Sequence, residues 1–368
     1  MKIAMIGQKG LPATYGGVER HVEELSAALA TMGQDVTVYS RPNYAPRVPS
    51  HRGVRVISLP SIGTKHLDAI SHSLICTLHA LGAGYDVIHY HGAGPSLLCP
   101  IARASGATVI ATIHALDWQR AKWGRIARIA LRVGEATAVR CAHRVIAVSP
   151  IVRDFLTKMY GIESVCIPNA VTPPHVRPLD ALKRVVRIVP GNYVLYLGRL
   201  VPEKGCHHLI RAFRALDTDK MLLMAGECAS GDPYVARLKK ESAGDPRIIF
   251  PGGLYGAEKE EALSNAALFC LPSEVEGMPI GLLEAMSYGL CVVASDIPEN
   301  RAILCAEAGP LGLTFRSRDP DDLRRVLARA LDNPDEAAAI GRLAAQRVSE
   351  LQSWQRVAEL TAEVYRGK

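Results

Sequence analysis

Residues 272–286 read Pro-Ser-Glu-Val-Glu-Gly-Met-Pro-Ile-Gly-Leu-Leu-Glu-Ala-Met and include the carboxylates Glu276 and Glu284, with seven residues between them. Leu-Leu-Glu-Ala-Met has a helical pattern, so Glu284 belongs to a helix and Glu276 to the loop that enters it. A carboxylate beside a helix N-terminus is stabilised by the helix dipole. It can also accept hydrogen bonds from sugar hydroxyls, which are good donors. Upstream, the apolar run Tyr193–Tyr196 leads into Gly198, Arg199, Lys204 and Gly205. Two cations in the loop after a parallel strand suit a diphosphate through charge-assisted hydrogen bonds; the plain alternative is two solvated surface charges. Near the start, Gly7, Gly10, Gly16 and Gly17 occupy the turn between an apolar run and a helical pattern. Glycines let a backbone approach a ligand closely, and the helix that follows offers free N–H groups to an anion. The glycines are too widely spaced for G-x-G-x-x-G, and Asp35 leads into a strand rather than ending one, which argues against a dinucleotide. Asp217-Thr218-Asp219 has the spelling of a D-x-D metal motif, but it falls where Asp commonly marks a turn, and no metal site is expected there. His114 closes the run Thr-Ile-His-Ala; from the residues alone it is an ordinary strand-end histidine.

These groups need a frame. Short β-rich runs alternate with helical patterns: Lys2–Ile6, Asp35–Tyr39, Val54–Leu59, Asp86–Tyr90, Thr108–Ile113 and Arg144–Ala147 are expected strands. Val18–Met32 carries Val22, Leu25 and Leu29 at helical spacing. A second series follows with Tyr193–Tyr196, Met221–Met224, Ile248–Phe250, Leu268–Leu271 and Cys291–Ala294 as strands and Cys206–Leu216 as a helix. Strands separated by helices imply parallel pairing, because parallel neighbours require a crossover. Each half therefore reads as a doubly wound α/β unit, with ligands expected beyond the carboxyl ends of the strands in a cleft between the halves. Val171–Pro190 holds Pro173, Pro174, Pro178 and Pro190 and reads as an interdomain linker. The division expected is 1–172, 173–352 and a closing helix in 353–368. Along that helix Trp354, Val357, Leu360, Thr361 and Val364 share one face, which fits either a return to the first domain or packing on the second.

The 368 residues suggest two or three domains. With 48% hydrophobic and 21% charged residues, the chain is not of a disordered type. Its nine cysteines include no C-x-x-C, so a clustered zinc site or redox pair is not expected. Their scatter fits small core residues in a reducing compartment. Met1–Gly10 opens with a buried first strand ending at Gly7 and does not read as a signal sequence. The longest uncharged run, Ala69–Tyr85, contains His72, His79 and two glycines and reads as a core helix rather than a span. A cytoplasmic protein is expected, with any membrane contact peripheral. The net charge of +7 permits an anionic partner without naming one.

Gly198–Gly205, read as Gly-Arg-Leu-Val-Pro-Glu-Lys-Gly, together with Glu276–Met286 resembles the retaining glycosyltransferases of family 4, which have the GT-B fold. Gly-Gly-Val-Glu at 16–19, Thr-Ile-His-Ala at 112–115 and Ile-Pro-Asn-Ala at 167–170 match the same family, so the resemblance covers nearly the whole chain. It implies two Rossmann-like domains, a nucleotide-diphosphate sugar as donor, and a glycan or lipid-linked hydroxyl as acceptor. No cofactor and no essential metal are implied. By the resemblance, Arg199 and Lys204 neutralise the donor diphosphate, Glu284 holds the ribose hydroxyls and Glu276 lies beside the transferred sugar. Gly16 and Gly17 belong to a loop whose backbone meets phosphate or acceptor, and His114 contacts the donor sugar. Met278, Pro279 and Ile280, with Leu283, stand where the family binds the donor. Many members have Gly-Phe-Gly where this chain has Met278, Pro279 and Ile280. Proline removes one backbone donor, so the identity of the sugar does not carry over. The nucleobase is expected around Gly252–Leu254, and the reaction is expected to proceed by front-face attack with the leaving phosphate as base.

Residues 120–144 hold Arg120, Lys122, Arg125, Arg128, Arg132, Arg140 and Arg144 against one acid, Glu135. On a helical wheel Arg125, Arg128 and Arg132 share a face opposite Ile126, Ala130 and Val133. That pattern is a solvated basic face or a contact for an anionic membrane or lipid diphosphate. A GT-B sugar-nucleotide epimerase would not require the spacing of the two glutamates. A nucleic-acid-binding protein is suggested by charge alone, with no recognition motif or stacking aromatics, and nucleic acid is not an expected partner.

Overall fold

The computed structural model describes residues 1–14, 16–64, 67–120, 123–227, 232–306, 309–350 and 353–367. Lys122 of the basic segment, Cys228 and Lys368 lie outside the described residues. The chain divides into two compact units, Met1–Ala170 with Gln352–Lys368, and Val171–Leu351.

The first unit runs β1 (Lys2–Ile6), α1 (Gly17–Thr31), β2 (Asp35–Ser40), β3 (Ser50–His51), β4 (Val54–Ser58), α2 (Asp68–Leu81), β5 (Val87–His91), α3 (Cys99–Arg103), β6 (Thr108–Ile113), α4 (Arg125–Cys141), β7 (Arg144–Ala147), α5 (Pro150–Tyr160) and β8 (Val165–Cys166). Its sheet has the order β3-β4-β2-β1-β5-β6-β7-β8. All neighbours are parallel except β3 and β4. Four of the five residues of β1 are buried, as a central parallel strand covered on both faces requires.

The second unit runs α6 (Ala181–Val185), β9 (Tyr193–Leu197), α7 (Cys206–Arg214), β10 (Met221–Ala225), α8 (Pro233–Ser242), β11 (Ile248–Gly252), α9 (Gly256–Ser264), β12 (Leu268–Leu271), α10 (Ile280–Ser287), β13 (Val292–Ser295), α11 (Pro298–Leu304), the short β14 (Cys305–Ala306) and β15 (Gly309–Pro310), β16 (Leu313–Phe315), α12 (Pro320–Asp332) and α13 (Pro334–Ser349). The main sheet has the order β11-β10-β9-β12-β13-β16 and is parallel throughout. Strand periodicity divides its core in two. Val194, Tyr196, Leu222 and Met224 enter one cluster, and Tyr193, Leu195, Leu223 and Ala225 enter the other.

The segment 171–190 is not a free linker. Leu179, Leu182, Val186 and Ile188 are buried in the second core. The Glu261 carboxylate accepts the N–H groups of Asp180, Ala181 and Leu182, at 2.9, 3.2 and 2.9 Å, and so caps α6. Proline density signalled a break in regular structure there, but not the packing of the residues between the prolines. The last helix, α14 (Trp354–Tyr365), packs on the first unit against α1. Its Tyr365 hydroxyl lies 2.7 Å from His89 Nδ1. Of the described cysteines, five are buried, Cys141 and Cys166 are intermediate and Cys305 is exposed, so the core reading holds for only some of them. Among the described residues, no helix is long and apolar enough to cross a membrane.

Candidate functional site

In each sheet the strand order reverses beside the first strand of its series, between β1 and β5 and between β9 and β12. Such switch points open a crevice at the carboxyl ends of the strands. In the second unit, the loop after β9 and the loop after β12 meet there. Gly205 has φ of 65°, and a Cβ on it would overlap the carbonyl oxygen of Pro272, so the two loops touch backbone to backbone. The Glu274 N–H donates to the Glu203 carbonyl at 2.9 Å. Behind them, Ser295 Oγ donates to the Ser273 carbonyl at 2.5 Å, and Asn300 Nδ2 donates to the Ser295 carbonyl at 3.0 Å.

On this frame Lys204 Nζ donates to Glu276 Oε1, with side chains only 17% and 9% exposed. Arg199 is half-buried in the same loop, its carbonyl accepting the Tyr196 hydroxyl at 2.7 Å. Among the described residues its guanidinium makes no ion pair. Glu284 on α10 accepts from Lys259 Nζ of α9 at 2.7 Å. The loop and helix after β12 therefore carry Glu276 and Glu284, and the β9 loop, which also holds Arg199, brings Lys204 to Glu276.

The stretch that enters α10 divides by role. Pro279 caps the helix and its carbonyl accepts the N–H groups of Leu282 and Leu283 at 3.1 and 3.3 Å. Leu283 is fully buried in the core and its N–H is spent on the Pro279 carbonyl. Pro279 and Ile280 are buried and Met278 is half-buried, so what this turn offers a ligand is chiefly backbone. Asp217-Thr218-Asp219 precedes β10 and so lies at the opposite edge of the sheet. There the Thr218 carbonyl takes Arg247 Nη1 at 2.9 Å, which is a turn's bonding pattern.

Two residues escaped the sequence reading. Lys259 sits in a helix of ordinary surface composition, and no local pattern marks it as the partner of Glu284. Glu299, in the first turn of α11, has its carboxyl pKa raised by burial first and by the charge of Glu276 as well. The second strand-to-helix turn after Glu276 was the signal for it.

In the first unit, Gly16 has φ of 109° and is the N-cap of α1, and a Cβ on it would overlap the Glu19 carboxylate. Gly17 opens onto free space. Glu19 and Glu23 accept the N–H groups of Lys9 and Ala13 at 3.3 and 3.1 Å, which ties the glycine loop to α1. His114 directly follows β6 and is nearly buried. Burial first, and then His21, His89 and Arg120, push its pKa well below the ordinary histidine value, so the ring is neutral. Helix α4 buries only Gly134, Glu135 and Ala138. Ile126, Ile129 and Val133 are 86%, 63% and 50% exposed, so these apolar side chains do not face the core as those of an amphipathic helix would. Trp118, Gln119, Arg128, Ile129 and Arg132 line a groove beside it, with the Arg132 guanidinium 4.4 Å from the Trp118 ring centre.

A family described as Glycosyltransferase Family 4 matches residues 15–173, and one described as Glycosyl transferases group 1 matches residues 181–347. A glycogen synthase of Mycobacterium tuberculosis is 30% identical over 99% of this chain and 94% of its own. A phosphatidyl-myo-inositol mannosyltransferase of Mycolicibacterium smegmatis is 28% identical over 95% of this chain and 90% of its own. Among solved structures, sucrose-phosphate synthase from Thermosynechococcus elongatus superposes with a TM-score of 0.84 at 22% identity, covering 100% of this chain and 98% of its own. Anabaena Alr3699/HepE in complex with UDP-glucose superposes with a TM-score of 0.81 at 19% identity, covering 100% of both chains.

Proposed function

This chain belongs to glycosyltransferase family 4 and has the GT-B fold, and on that premise we propose that it moves a sugar, with retention, from a nucleotide-diphosphate donor to a hydroxyl of a glycan or lipid-linked acceptor. The observation that carries this reading is the pairing of Lys204 with Glu276 across the loops at the carboxyl ends of β9 and β12, with Arg199 in the same β9 loop. The acceptor oxygen forms a bond to the anomeric carbon as the bond from that carbon to the β-phosphate oxygen breaks. The bonding pair leaves on the phosphate, which takes the proton of the attacking hydroxyl. Charge on the diphosphate grows through this step, so fixed cations stabilise the transition state more than the ground state. Arg199 and Lys204 supply them, without an essential metal. Lys204 donates to Glu276; with donor present its ammonium meets the phosphate and Glu276 faces the sugar. Glu284 takes the ribose hydroxyls, Met278 to Ile280 line the sugar, the turn at 252–254 meets the base, Gly16 and Gly17 meet phosphate or acceptor, and His114 contacts the sugar.

Donor hydrolysis and transfer across UDP-, GDP- and dTDP-sugars, in EDTA and with the product anomer read by NMR, tests this. Turnover with one base and a retained anomer is expected. Absence of binding and turnover with all three would remove the transferase reading, and conversion of the donor without an acceptor to its epimer would replace it by an epimerase.

The acceptor is proposed to be lipid-linked because the exposed Ile126, Ile129 and Val133 accompany Arg125, Arg128 and Arg132 on one helix. An apolar strip flanked by cations suits the interface of an anionic bilayer, and one relative acts on a phosphatidylinositol. Flotation on anionic but not on neutral liposomes, lost on replacing the three arginines by glutamate, is expected. Equal recovery on both liposomes would remove the membrane part and leave the transfer reaction standing.

A further inference from the structure

We propose that Glu274 and Arg318 are positioning residues for the transfer reaction, a role that rests on the reading above: their ion pair fixes the loop after β12 so that Glu276 stands opposite Lys204. Glu274 lies two residues before Glu276 in that loop, and its side chain is only 14% exposed. The carboxylate is held from two sides. His208 of α7 gives Nε2–H to Oε1 at 3.3 Å, and Arg318 donates from Nε to Oε2 at 2.8 Å. Burial, above all, lowers the His208 pKa, so the ring is neutral and has one N–H to give. Its Nδ1 is buried without a partner among the described residues, as befits the unprotonated nitrogen. The Glu274 main chain is tied as well, its N–H donating to the Glu203 carbonyl at 2.9 Å. One residue thus joins the β12 loop to α7, to the turn before α12 and to the β9 loop. Glu203 adjoins Lys204 in the chain, so a displacement of Glu274 shifts the Glu276 carboxylate and the Lys204 ammonium relative to each other.

The backbone of Arg318 is the second observation. Among the described residues only Arg52 and Arg318 have positive φ without being glycine, at 50° and 65°. Arg52 forms with Gly53 the two-residue turn between β3 and β4, and hairpin turns of that length demand positive φ. Arg318 has no such reason, since it stands in the turn between β16 and α12. That turn is secured by other groups. The Ser317 N–H donates to Asp296 Oδ1 at 2.9 Å, and the Asp319 N–H to the Arg316 carbonyl at 3.1 Å. Asp319 Oδ1 accepts the N–H groups of Asp321 and Asp322 at 3.1 and 3.0 Å. None of these bonds uses the Arg318 side chain, and glycine suits the conformation better. The ion pair does not offset the strain in stability, because the Arg318 side chain is 68% exposed and such pairs contribute little. Strain of this kind persists at functional sites, and here what the strained residue does is orient Glu274.

Arg318→Gly separates the two roles, because it relieves the backbone and removes the brace. Its melting temperature is expected to be no lower than the parent's. Its kcat for donor turnover is expected to fall about 10- to 100-fold, the scale for a small misplacement of reacting groups, with the donor KM little changed. Glu274→Gln should lower kcat likewise, and the double variant should be no slower than the slower single one, as for two residues acting as a unit. Arg316→Ala removes an arginine of the same turn whose partner is Asp319, at 3.0 Å, and should turn over as the parent does. In the chain without donor, amide hydrogen exchange across residues 272–277 is expected to be faster in Arg318→Gly than in the parent or in Arg316→Ala. Parental kcat in Arg318→Gly, a melting temperature that falls in step with kcat, or unchanged exchange would overturn the proposal. A parent chain that turns over no nucleotide sugar would instead bring down the transferase reading, and exchange would still decide whether Arg318 holds the loop.

Discussion

The Lys204 ammonium and the Glu276 carboxylate neutralise each other where little of either side chain meets solvent. Removing one leaves the other buried and uncompensated, which is costly. Lys204→Ala is therefore expected to lower kcat/KM by about 100- to 1,000-fold, the range for loss of one transition-state donor, as read in a donor-consumption assay. Near-parental turnover would remove Lys204 from the reaction. His72 gives a separate expectation. Burial first, and then the neighbouring Arg41 guanidinium, lower its pKa to about 4. The unfolded chain takes up the proton near pH 6.5 and the folded chain resists it, so stability is whole above about 6.5 and falls as the pH drops toward 4. The loss is about 3 kcal/mol at the lower end. Urea unfolding at pH 7 and pH 4.5 should show it, and His72→Gln should flatten the difference.

Between elements, the site depends on close backbone approaches. Gly205 combines a positive φ with a Cβ position already filled by the Pro272 carbonyl oxygen. Gly205→Ala is expected to cost about 2 kcal/mol or more, seen as a lower melting temperature for the second unit. Glu261→Gln leaves one carbonyl oxygen for three N–H groups at the start of α6. A loss of about 1–3 kcal/mol is expected in urea unfolding. The expected strands of both sheets were legible because each is an apolar run bounded by turn residues. The edge pair Ser50–His51 and the three-residue β16 were not, being too short to show a period. Arg199, Lys204, Glu276 and Glu284 were legible as types and spacings within single loops. The Lys259 partner and the meeting of His208, Glu274 and Arg318 were not, since pairs brought together by sheet order leave no trace in local sequence. The exposed apolar side of α4 was missed because helical periodicity reports faces and cannot say which one the core takes.

At the scale of the whole chain, α14 belongs to the unit that the chain leaves at Ala170. Trp354, Val357, Ala358, Ala362 and Val364 are buried in that unit, and Tyr365 reaches His89. Deleting 353–368 is expected to lower the first of two calorimetric transitions and leave the second in place. A uniform fall of both would mean that the units do not unfold as separate bodies. The same feature constrains biosynthesis. A ribosome delivers residues 171–351 before it delivers the helix that closes the first unit, so the domain begun first is finished last. Until then β5 waits with the imidazole of His89 lacking its tyrosine partner and α1 with an uncovered apolar face. For this chain the vulnerable interval in synthesis is the time needed to translate an entire intervening domain.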